Sequence, residues 1–137
     1  MPNERALALW LLAASALAAA AGVVLFQYVD PNVRGGLLPP CLFHAATGFY
    51  CVGCGITRAF HALAHGDLPR AFGMNPLAVI MVGLGPLMLL HVYGWRPALL
   101  QPLMRVALSG RFWLIAIPAY WIARNLPWWP FAWMAPG

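Results

Sequence analysis

The chain has 137 residues, of which 63% are hydrophobic and only 8% charged, with a mean hydropathy of +0.75. A water-soluble domain carries about 25% charged residues, so this composition predicts an integral membrane protein whose main partner is the lipid bilayer. It excludes a disordered chain, a nucleic-acid binder and a secreted disulfide scaffold, because hydrophobicity is too high, basic clustering too sparse and three cysteines too few.

The formal charge of +5 comes from eight arginines and no lysine, set against Glu4, Asp30 and Asp67. The arginines are scattered at the ends of apolar stretches, a placement that sets topology and lets long side chains snorkel to the interface.

In chain order, the first apolar run, residues 6–28, holds no charge and is long enough as a helix to cross a hydrocarbon core of about 30 Å. Its start also has the look of a signal peptide, with Arg5 before it and a possible cleavage site at Ala16-Leu17-Ala18. The run continues through Phe26, well past a normal signal core, so a retained first span is expected.

Residues 29–75 follow as the one long non-spanning segment, with Gly35-Gly36, Pro39-Pro40, all three cysteines and three of the four histidines. From Gly55 to His65 the spacing is helical: Ile56, Ala59, Phe60 and Leu63 share an apolar face, while Arg58, His61 and His65 share the other. Gly66 stops that helix, Asp67 caps a second short one that Gly73 ends, and Asn75-Pro76 starts the next. Two short interfacial helices therefore lead into a second span over about 76–95, where Gly83, Gly85 and Pro86 predict a bend or a close helix contact. His91 reads as a packed or interfacial histidine.

Arg96, Arg105 and Arg111 flank a proline-interrupted, partly inserted segment. A third span is placed over about 108–126. Only twelve residues, about 18 Å of helix, separate Arg111 from Arg124, so at least one of these arginines must snorkel or be satisfied within the protein. Trp128-Trp129 through Trp133 form an aromatic belt.

The expected architecture is thus all-α, one membrane domain over residues 1–137 with about three transmembrane helices and two short interfacial ones. Three arginines in the short loop between spans two and three favour that loop as cytoplasmic, which puts the cysteine loop on the extracytoplasmic side of a bacterial inner membrane.

Chemistry is concentrated in Cys41-x-x-His44, then Cys51-x-x-Cys54-Gly55. The two-residue spacing lets side chains on one turn reach a single tetrahedral ion, and Gly53 and Gly55 let backbone N–H groups turn toward the thiolates. The pair Cys51 and Cys54 is half of a zinc knuckle. Cys41 with His44 would supply the other half, or His61 and His65 would.

A disulfide from Cys41 to Cys51 or Cys54, a redox-active Cys51–Cys54 pair, and plain packing of small residues are the competing readings. Cys54 at the start of a helix is expected to have a lowered thiol pKa. Arg58 beside His61 and His65 either binds an anion or is the wet side of its helix. No Ser-His-Asp set, carboxylate pair or phosphate loop is present, and no catalytic residue is assigned.

The run from Thr47-Gly48 through Cys51-Val52-Gly53-Cys54-Gly55-Ile56-Thr57-Arg58-Ala59, with Asn75-Pro76-Leu77 after it, resembles the bacterial membrane-protein family known as domain of unknown function 2752, whose signature is T-G-x-x-C-P-G-C-G-x-T-R-A. Cys41 and Arg124-Asn125 also resemble family positions. Val52 departs from the family's proline, and His44 is not a signature position. The family transfers no activity. The resemblance implies a small multi-span membrane protein in which Thr47, Gly48, Cys51, Gly53, Cys54, Gly55, Thr57 and Arg58 act as one unit.

The functional expectation is an accessory or scaffold component, associating with other membrane proteins or with itself, whose cysteine loop is held by zinc or a disulfide. The alternative is a thiol-redox or metal-handling protein using Cys51 and Cys54. A transporter is disfavoured, since no buried acid marks a pathway.

Overall fold

The computed structural model describes residues 2–33 and 41–135, without the side chains of residues 2–5 and 8. Arg34, Gly35-Gly36, Pro39-Pro40 and the side chains of Glu4 and Arg5 lie outside the described residues. All regular secondary structure described is helical: α1 (Pro2–Tyr28), α2 (Leu42–Thr47), α3 (Ile56–Ala64), α4 (Leu68–Met74), α5 (Pro76–Val92), α6 (Gln101–Ala107) and α7 (Gly110–Ala123), with short 3-10 turns at Ala98–Leu100 and Phe131–Met134.

One helix is long and apolar enough to cross a membrane, over Leu9–Tyr28. There are up to three spans if each bent pair counts as one: α4 with α5, bent by 113°, and Ala98–Ala107 with α7, bent by 64°.

The α4 to α5 bend has a visible cause. Asn75 is in extended conformation, and its Oδ1 accepts the Ala78 amide at 3.0 Å, so one residue both closes α4 and caps α5, with Pro76 in the first turn. Asp67 caps α4 in the same way through the Arg70 amide at 3.1 Å, and Gly66 takes the left-handed conformation (φ 75°) that stops α3.

Three details differ from expectation. Gly73 lies inside α4, which runs on to Met74 because Asn75 supplies the stop. Gly83, Gly85 and Pro86 do not interrupt α5, and among the described residues a Cβ added at either glycine would meet nothing within 4 Å, so neither glycine makes a close helix contact there. The third apolar helix is shorter than expected: α7 spans only Gly110–Ala123, and Trp113 Nε1 donates back across its start to the Ala107 carbonyl at 2.7 Å.

The buried core is small and centred on the short helices: Ala59 and Ala62 of α3, Ala71 of α4, Ala78 of α5, Met104 and Ala107 of α6, and Cys54. Alanines let α3, α4 and α5 approach closely. Ala62 is buried where the sequence pattern placed Ile56, which is exposed, because α3 turns its small side toward α4. The C-terminal end of α1 rests on α3, with Phe26 and Phe60 rings 6.0 Å apart. Large apolar side chains elsewhere are exposed, Ile115 at 74% among them, and α7 has no buried residue.

Candidate metal centre

Two Gly-dependent turns build the site. Gly48, at the C-cap of α2 with φ 76°, and Gly55, at the N-cap of α3 with φ 78°, hold left-handed backbone that other residues adopt at a cost. Thr47 closes α2, with its Oγ1 donating to the Phe43 carbonyl at 2.7 Å and accepting from the Phe49 amide at 3.2 Å. Between the glycines the chain folds Cys51-Val52-Gly53-Cys54 into a tight turn, closed by the Cys54 amide on the Cys51 carbonyl at 3.2 Å.

This turn brings three sulfurs together. Cys51 Sγ lies 3.0 Å from Cys54 Sγ and 3.4 Å from Cys41 Sγ, and the three sulfurs all lie within 4.8 Å of one another. All three cysteines are free thiols. The Cys51 amide donates to Cys54 Sγ at 3.1 Å, so a backbone N–H does turn toward sulfur, from the first cysteine of the pair itself.

The thiols differ in electrostatics. The His44 backbone amide above all, then Cys54 and Cys51, hold Cys41 down to about 7. Burial, followed by the neighbouring thiols Cys51 and Cys41, pushes Cys54 up to about 12. The lowered pKa expected for Cys54 at a helix start is therefore reversed, because desolvation outweighs the helix terminus.

The turn is clamped from below by α7 and the α4 to α5 corner. Arg124, 1% exposed at the C-cap of α7, donates through Nη1 to the carbonyls of Cys51 and Val52, both at 3.0 Å. Its Nη2 reaches the carbonyls of Cys54 at 2.9 Å, Met134 at 3.2 Å and Met74 at 3.3 Å. Asn75, also 1% exposed, donates through Nδ2 to the Val52 and Cys54 carbonyls at 3.0 and 3.1 Å. Asn125 completes the clamp: its Oδ1 accepts the Tyr50 amide at 2.7 Å and its Nδ2 donates to the Tyr50 carbonyl at 2.9 Å. These partners satisfy the buried arginine that the short span required, although its Nε finds none.

The sequence-derived candidates divide cleanly. Cys41, Cys51 and Cys54 converge. His44 stacks on Tyr50, with ring centroids 4.5 Å apart and planes at 9°, outside the sulfur cluster. The alternatives His61 and His65 also lie outside the sulfur cluster: His61 Nδ1 meets the Phe26 carbonyl at 2.7 Å and its Nε2 faces Asp30 at 3.8 Å, while His65 Nδ1 meets the His61 carbonyl at 2.9 Å.

The Asp30 carboxyl is held below its usual value by the Asn32 amide. The expected wet face of α3 is therefore half-covered, since His61 packs beneath the end of α1. Thr57 and Arg58 are half-buried in the first turn of α3. Gly53 leaves room for a Cβ, whose nearest neighbour would be Cys51 Sγ at 4.0 Å.

Two contributors were not singled out from the sequence. Tyr120 donates its hydroxyl to Asn75 Oδ1 at 3.0 Å, and Trp121 Nε1 donates to the Tyr50 carbonyl at 2.8 Å. The available signal was their helical spacing, one turn before Arg124 and Asn125 on the same face.

Fold and site together define a small all-helical protein with at least one apolar helix of membrane-spanning length and a braced three-thiol cluster. Residues 41–90 match the family model described as Protein of unknown function (DUF2752), so the motif resemblance is shown over the segment that carries the cluster. No curated protein and no solved structure matches the chain.

Proposed function

We propose that the chain is a multi-pass inner-membrane protein, acting as an accessory or scaffold component, whose Cys41, Cys51 and Cys54 bind one thiophilic divalent ion, zinc in the ordinary case, as a structural lock on the loop. The observation that carries this reading is the convergence of three sulfurs within 4.8 Å on a turn clamped by Arg124 and Asn75. Three thiolates around a divalent ion carry a net charge of −1. That charge supplies the counter-ion a buried Arg124 otherwise lacks, since its described hydrogen-bond acceptors are all carbonyls. A cation also favours the thiolate at Cys54, which burial alone disfavours.

The membrane reading is supported by α1, by the two bent helix pairs and by the large apolar side chains left exposed on α1 and α7, which suit lipid, a second copy or another membrane protein. The distribution of arginines supports placing the cysteine loop on the extracytoplasmic side, where burial of Cys54 and coordination would shield the thiols from oxidation.

A second reading, thiol-disulfide exchange, is favoured by the Cys41 thiol held down to about 7 at 3.4 Å from Cys51 Sγ. Elemental mass spectrometry with thiol counting by alkylation, on one detergent-purified sample of the whole chain, separates the two. The metal reading expects about one zinc per chain and no disulfide, with folded yield lost on Cys51→Ser or Cys54→Ser. Metal-free protein with two cysteines blocked until reduction, and with full yield of both variants, overturns it in favour of exchange.

A further inference from the structure

We infer that His44 Nδ1 is the fourth ligand of the ion held by Cys41, Cys51 and Cys54, making a closed Cys3His centre; the inference rests on the metal reading above. His44 Nδ1 is buried and has no hydrogen-bond partner. A buried ring nitrogen left unpaired is uncommon and calls for a partner, and an ion supplies one. The two other histidines weighed as ligands, His61 and His65, already have partners for this nitrogen.

Position supports the assignment. Cys41 is the N-cap of α2 and His44 is the third residue of that helix. These are the N-cap and N3 positions of one helical turn, so the two residues lie on the same end of the helix. The imidazole stacks at 4.5 Å on Tyr50, the residue before Cys51, which keeps it beside the cysteine turn though outside the sulfur cluster. Coordination requires the ring to leave Tyr50 and move toward the sulfurs. Coordination through Nδ1 places the proton on Nε2 and adds no charge, so the centre keeps its net −1 opposite Arg124.

A tetrahedral site filled by four protein ligands has no position for a reactant, which marks the ion as structural. Metal transfer or catalysis would need an open position.

Cobalt(II) titration of the reduced full-length protein in detergent tests this, because thiolate charge-transfer and d–d bands report ligand identity. The wild type is expected to take one cobalt tetrahedrally. His44→Ala is expected to bind at least ~100-fold more weakly, beyond what loss of an outer partner of a ligand costs, with its d–d bands moved to longer wavelength. His44→Cys is expected to recover the affinity with a four-sulfur spectrum, a rescue that a packing role for the ring would not give.

Zinc-edge X-ray absorption of the wild type needs no variant, and imidazole scattering beside three sulfurs is expected. Unchanged bands and affinity in His44→Ala, or zinc with sulfur and no imidazole in the wild type, overturn the assignment and leave the three-thiolate reading standing. Absence of thiolate charge-transfer bands in the wild type overturns both.

Discussion

Arg124 Nη2 donates to the carbonyl of Cys54 at 2.9 Å across a sequence separation of 70 residues, and both residues are buried. That bond, with its neighbours, ties the end of α7 to the cysteine turn. A planar guanidinium suits the task because it presents donors in a fixed fork, and here two nitrogens cover five carbonyls from three stretches of chain. The rings of Tyr120 and Tyr50, 5.2 and 5.9 Å from the guanidinium carbon, add cation–π contact.

Arg124→Lys keeps the charge but removes the fork, leaving several buried carbonyls unpaired. Each unsatisfied buried group costs about 1–3 kcal/mol, so the variant is expected to lose a few kcal/mol of stability, read as a melting midpoint lowered by several degrees in detergent. Equal stability of Arg124→Lys and wild type would show that charge alone matters at this position.

Asn75 gives a graded version of the same test. Asn75→Ala loses the α5 cap, worth about 1 kcal/mol, together with its two bonds to the cysteine turn. Tyr120→Phe loses only the hydroxyl bond to Asn75 Oδ1, worth about 1 kcal/mol. Asn75→Ala is therefore expected to destabilise by about twice as much or more, and urea or thermal unfolding of the two variants in one detergent gives the order.

The legibility of the molecule follows the range of each interaction. Caps and stops were readable because they are local: Asp67, Gly66 and Asn75-Pro76 act within three residues of themselves. The three cysteines were readable as a group through their spacing, and the short stretch between Arg111 and Arg124 flagged a buried arginine without saying what it holds. The clamp itself was not readable, since its partners are carbonyls, which every residue carries and no sequence displays. Helix α2 was missed because it is short and lies inside a loop rich in glycine and proline. The fate of His61 depended on where α1 ends against α3, which is a tertiary fact.

The motif glycines are expected to separate by backbone conformation. Gly48→Ala and Gly55→Ala force a side chain onto positive φ, at a cost of about 1–2 kcal/mol each. Gly53 has no positive φ and room for a Cβ, so Gly53→Ala is expected to stay near the wild-type melting midpoint. A loss at Gly53 matching that at Gly55 would mean that the cysteine turn closes more tightly when loaded.

The pH dependence of the metal-free, reduced protein carries opposing signs from two thiols. Cys41 falls from 9.0 unfolded to about 7 folded, so between those values the unfolded chain binds more protons and stability rises with pH. That contribution is complete above pH 9 and is lost as pH falls through about 7. Cys54 moves the other way, from 9.0 to about 12, so above pH 9 the unfolded chain releases a proton that the folded one keeps, and stability falls. Unfolding midpoints from pH 6 to 11 are expected to peak near 9 in the chelated wild type, to lose their rise from pH 7 to 9 in Cys41→Ser, and to lose their fall above 9 in Cys54→Ser. Alkylation provides an independent reading, with Cys41 reacting half-maximally near pH 7 and Cys54 remaining protected throughout. A profile that keeps its rise in Cys41→Ser would assign the thiolate to another group and remove the His44 amide as its cause.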